Sequence, residues 1–100
     1  MEKVIYKKEK ITPESIRELM LANEKIISVE AVAEYYKTSD NQLGRILKKY
    51  NTTPLALLKD IKKDIVMDMI DKEIPLSKIA IRVGYRETFI KSNFLKHSSH

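Results

Sequence analysis

An all-α fold is predicted by three features of the sequence. Its 100 residues contain two glycines and three prolines, too few for the many tight turns of an all-β chain. No segment sustains the apolar–polar alternation of a half-buried strand. Apolar residues return instead every three or four positions, as at Leu58, Ile61, Ile65 and Met69.

The elements follow in order. Residues 1–11 (MEKVIYKKEKI) are mixed and read as a basic N-terminal arm or an early strand-like segment. Thr12-Pro13 supplies a hydroxyl for the N-cap and a proline for the first turn, so a helix is expected from there to about Ala22, with Ile16, Leu19 and Met20 as its stripe. Ser28 caps a second helix, whose Val29, Val32, Ala33 and Tyr36 share a face. Ser39 caps a third, carrying Leu43, Ile46, Leu47 and Tyr50. Thr53-Pro54 repeats the first device and opens the longest helix, to about Asp71, spanning roughly 27 Å at 1.5 Å per residue. Glu73-Ile74-Pro75 breaks the chain. A fifth helix is expected from near Ser77 to Val83 and a sixth from Glu87 to His97, before a short tail, 98–100.

Composition narrows the function classes. Cysteine is absent, which excludes disulfides and thiolate metal sites. No apolar run approaches the ~18 residues of a membrane span, and the lysine-rich start lacks the apolar segment of a signal peptide. A cytoplasmic protein without membrane partners is expected. The net charge of +5 is unevenly spread. Five acids face two bases between Thr12 and Tyr36, whereas Asn41 to Lys63 holds Arg45, Lys48, Lys49, Lys59, Lys62 and Lys63 against Asp60 alone. After the acidic Asp64, Asp68, Asp71 and Glu73, the bases Lys78, Arg82, Arg86, Lys91 and Lys96 are opposed by Glu87. Two basic blocks on an otherwise neutral frame suit a polyanion.

The chain also repeats itself. A shift of 47 positions pairs Val32-Ala33 with Ile79-Ala80, Leu43 with Ile90 and Leu47 with Phe94. Each copy reads as a short helix, a tight turn and a second helix, the pattern of a helix-turn-helix. The alanine is small so that the second helix can cross close to the first. Four residues later the chain must turn sharply, which a left-handed glycine does most cheaply. Gly84 stands there in the second copy and Lys37 in the first, where a non-glycine costs some stability or requires another turn.

From Thr12 to His97 the chain resembles the DNA-binding domain of AraC/XylS-type transcription regulators. The first copy, SVEAVAEYYKTSDNQLGRILKKYNTTPLALL, matches the family in its small-residue-Ala pair, turn, serine and Leu-x-Arg-x-Leu-Lys pattern. The second, LSKIAIRVGYRETFIKSNFLKH, carries the more specific Ile-Ala-x-x-x-Gly-Tyr. The resemblance implies a homeodomain-like, two-unit architecture: a first helix-turn-helix unit over 12–53, a linker helix over 54–71 and a second unit over 72–97. It also implies a monomer, rather than a dimer, placing its two recognition helices in successive major-groove segments of double-stranded DNA. The family has one more residue between the glycine and the next core residue. Closing that gap puts Ile90 and Phe94 in the core, in agreement with the repeat.

The first half of such a helix faces base edges, while caps and lysines hold phosphates. Asn41, Gln42 and Arg45 are therefore the base-contact candidates of the first unit. Arg45 matches the family's base-contacting arginine and suits guanine; the amide of Asn41 suits adenine. Gly44 leaves a family contact position without a side chain. Thr88, Lys91 and Ser92 are the base-contact candidates of the second unit. Ser39, Lys48, Lys49, Lys62, Lys63, Lys78, Arg86 and Lys96 are candidates for phosphate.

The expected function is thus a sequence-specific DNA-binding transcription regulator, with RNA polymerase as a possible further partner. The alternative is a protein-interaction adaptor or inhibitor on the same scaffold, engaging a regulator or polymerase, for which Tyr35 and Tyr36 beside the first turn would serve. No catalytic residue, metal or cofactor is expected: His97 and His100 stand near the end of the sequence and no phosphate loop or HExxH spacing occurs. Asp64, Asp68 and Asp71 read as a solvated helix row rather than a metal face.

Overall fold

Each helix in the first half of the chain begins at a hydroxyl. In the computed structural model, which describes residues 10–95, Thr12 Oγ1 accepts from the Ser15 amide at 3.0 Å, and Ser15 Oγ accepts from the Thr12 amide at 2.9 Å. This reciprocal capping box starts α1 (Pro13–Ala22), with proline at its first position. Ser28 accepts from Ala31 N–H to start α2 (Val29–Tyr35), and Ser39 accepts from Gln42 N–H to start α3 (Asp40–Lys48), both at 3.1 Å. Thr53 does the same for Ala56 at the head of α4 (Pro54–Asp71). Such caps contribute about 1 kcal/mol each, because they satisfy amide donors that have no carbonyl partner within the helix.

The later helices start differently. Helix α5 (Leu76–Val83) follows Pro75, and α6 (Glu87–Ile90) follows Arg86; neither is held by a side-chain cap. The fifth helix thus starts one residue before Ser77, near where the sequence placed it. The sixth helix also departs from a single α-helix: after Ile90 it widens into a π-helical turn over Lys91–Leu95. The fold is all-α among the described residues. Residues 1–9 of the arm, Lys96, His97 and the tail lie outside them.

Helix ends share one device. After α2, α3, α4 and α5 the chain passes through the left-handed region at Lys37 (φ 58°), Asn51 (φ 61°), Glu73 (φ 60°) and Gly84 (φ 75°). In each case the next amide reaches back five residues. Thr38 N–H donates to Ala33 O at 2.9 Å and Tyr85 N–H to Ala80 O at 3.2 Å, with equivalent bonds from Thr52 to Leu47 and Ile74 to Met69. Ala33 and Ala80, 47 positions apart, thus accept the same bond. Lys37 takes the glycine-like conformation, the costlier of its two expected options.

The chain divides into two compact units between Lys59 and Asp60, inside α4. The first has a core of Ile16, Met20, Val32, Ala33, Leu43 and Leu47, reinforced by Leu57 and Leu58. There α2 packs on α3, and the Tyr36 hydroxyl donates to Ser15 Oγ at 3.1 Å, tying the end of α2 to the first turn of α1. The second unit is built on Ile61, Ile65, Val66, Ile79, Val83 and Ile90, with α5 packed on α6. The predicted stripe along α4 is confirmed at Leu58, Ile61 and Ile65. It ends in a half-buried Met69 and gains Leu57 and Val66. Phe94, expected in the core, is half-buried, and Ile90 is the fully buried residue of the sixth helix among the described residues.

Candidate nucleic-acid interface

Helix α3 is sharply two-sided. Leu43 and Leu47 are fully buried and Ile46 is half-buried, which turns Asn41, Gln42, Arg45, Lys48 and Lys49 into solvent. At 100° per residue, Asn41, Gly44, Arg45 and Lys48 fall on one strip, with Gln42 and Lys49 beside it. The expected base-contact candidates of this unit are therefore together and exposed. A Cβ added to Gly44 would meet nothing within 4 Å, so the packing of the chain does not require the glycine. Ser39 is exposed, with its oxygen engaged by the Gln42 amide at 3.1 Å.

In the second unit Arg86, Thr88, Lys91 and Ser92 are exposed along α6 and the π-helical turn, and Lys63 and Lys78 are exposed on α4 and α5. Lys62 differs from the other phosphate candidates. Its ammonium lies 5.2 Å from the centre of the Tyr85 ring, an attractive cation–π geometry, and it is half-buried. Burial lowers its pKa from the ordinary lysine value and raises that of Tyr85. Part of its charge is thus already directed at a ring.

One exposed residue escaped the reading of the sequence. Phe89 is 41% exposed, although its ring packs against Tyr85 (centroids 4.8 Å apart) and Phe94 (6.4 Å). The 47-residue repeat held the signal, since it pairs Phe89 with Gln42 just as it pairs Ser92 with Arg45. Asn93, beside it, turns its amide back to donate to the Phe89 carbonyl at 2.8 Å.

Other chemistry is sparse on this scaffold. An open depression of about 480 Å³ in the first unit is lined by Val29, Asp40, Thr53, Pro54 and Leu55, with Asp40 the sole titratable side chain among them. Among the described residues, no group of three His, Cys, Asp or Glu side chains is placed to hold a metal ion. Asp68 of the acidic row pairs with Lys72 at 3.1 Å on an exposed surface, a contact that contributes little. No described helix is long and apolar enough to cross a membrane. No family model, curated protein or solved structure matches the chain.

Proposed function

We propose that this chain is a sequence-specific DNA-binding transcription regulator, similar to the AraC/XylS-type domain, in which each unit offers the second helix of a helix-turn-helix to the major groove. The observation that carries the reading is the outer strip of α3. Asn41, Arg45 and Lys48 share it because Leu43 and Leu47 hold the opposite side in the core. Arg45 suits the O6 and N7 acceptors of guanine, Asn41 the N6 and N7 pair of adenine, and the nearby lysines suit phosphates. The matched turns at Lys37 and Gly84 support the same design in both units.

Selection from a random double-stranded pool, followed by affinity measurements across a salt series, tests the proposal. Binding is expected to weaken steeply, with a slope of about −0.9 per phosphate neutralised. Arg45→Ala should lose about 1–3 kcal/mol and relax preference at one base pair. Salt-independent binding without sequence enrichment would reject the function.

A second reading, a protein-interaction adaptor contacting a regulator or RNA polymerase, is favoured by the bare side chains of Ile81 (79% exposed) and Leu55 (75%). It predicts that Ile81→Ser or Leu55→Ser abolishes partner capture while Arg45→Ala leaves it intact.

A further inference from the structure

The second unit lacks the reading residues of the first. Where the first unit has Asn41, Gln42 and Arg45, the repeat places Thr88, Phe89 and Ser92. Threonine and serine carry one hydroxyl each and make no two-pronged contact with a base edge. The amide of Asn93 is engaged by its own helix. The largest exposed group of α6 is therefore apolar. Ile90 takes the fully buried position of this helix, and Phe89 is left 41% exposed. Tyr85 and Phe94 both pack against its ring, so presenting it to a ligand costs little side-chain entropy. Arg86 and Lys91 are exposed on either side in the sequence, against the single acid Glu87, a charge balance suited to a polyanion.

We infer that Phe89 is a base-reading residue of the second unit and that it recognises the 5-methyl group of a thymine. This rests on the DNA-binding reading above. In the major groove the thymine methyl is the one apolar feature that distinguishes a base pair, and an aromatic ring is a suitable surface for it. The two units would then read by different chemistry, the first by charge-assisted and amide hydrogen bonds and the second by apolar contact. Arg86 and Lys91 would hold the adjoining phosphates.

The test uses the full chain and the DNA sequence enriched from the random pool. Each thymine is replaced in turn by deoxyuridine, which removes only the methyl group. One position is expected to cost the unaltered protein roughly fourfold in affinity, the contribution of one buried methyl-sized group. Phe89→Leu keeps an apolar surface and should retain that sensitivity. Phe89→Gln installs the side chain found at the matching position of the first unit. It should lose the sensitivity and favour adenine there, with helicity by circular dichroism and the salt slope unchanged. Salt-dependent, sequence-selective binding with no deoxyuridine penalty, or with the same penalty in Phe89→Gln, would overturn the role of Phe89 and leave the DNA-binding function standing. Absence of selective, salt-dependent binding would remove both.

Discussion

The two units build the same turn from opposite local materials. In the first, Thr12, Ser28, Ser39 and Thr53 cap every helix start among the described residues, yet the turn at Lys37 forces a lysine into left-handed backbone. In the second, Gly84 makes that turn at low cost, while Pro75 and Arg86 leave α5 and α6 without side-chain caps. The shared element is the bond from the residue after the turn to the alanine carbonyl, at Ala33 and Ala80. Packing sets the turn geometry; the residue that occupies it sets only its cost. Each unit is strong at the local feature where the other is weak.

The most severe way to probe this comparison is to empty each core. Leu43→Ala and Ile90→Ala each remove a fully buried side chain and should lower stability by about 2–5 kcal/mol in urea denaturation. Native-state hydrogen exchange should then show faster opening of α2 and α3 in Leu43→Ala, and of α5 and α6 in Ile90→Ala. If either variant loosens all four helices equally, the two units act as one cooperative block.

A smaller effect separates the turns. Gly84→Ala puts a Cβ at φ 75°. That costs roughly 1–2 kcal/mol, offset in part by the smaller chain entropy of alanine, for a net loss of about 1 kcal/mol. Lys37→Gly should act in the opposite direction, raising thermal stability by up to about 1 kcal/mol. Changes of the same sign would show that the two turns do not share a geometry in solution.

The smallest expected change concerns Gly44. Its neighbourhood leaves room for a methyl group, so Gly44→Ala should stabilise α3 by about 0.5–1 kcal/mol through helix propensity alone. If the outer strip of α3 meets DNA closely, the same variant should bind more weakly while melting higher. An unchanged affinity would mark the glycine as merely tolerated, and the strip as lying farther from the groove.

Helix starts were legible where a hydroxyl stood before an apolar stripe. Thr12, Ser28, Ser39 and Thr53 accept amide bonds three residues on, as expected, because capping involves only one turn of chain. The start of α5 was readable only approximately, near Ser77, because no hydroxyl side chain caps it and Pro75 stands at its head. The candidate face of α3 was also readable, since nine helical residues suffice to show which side carries Leu43 and Leu47. The sixth helix was harder. The repeat placed Ile90 inward correctly, but the regular helix ends there after four residues, and Phe94 beyond it is only half-buried.

By itself, then, the sequence determined the helical class, the capped starts in the first unit and the paired turns. Each of these follows from interactions within a few residues or from a repeated spacing. Tertiary structure decided that Lys37 would bear a left-handed turn, because Val32, Ala33 and Leu43 must meet in one core. It also decided that Lys62 would rest over Tyr85, and that Phe94 would stay half-buried while Phe89 kept 41% of its surface in water. These outcomes depend on which groups compete for the same volume, and such competition exists only once the helices have packed.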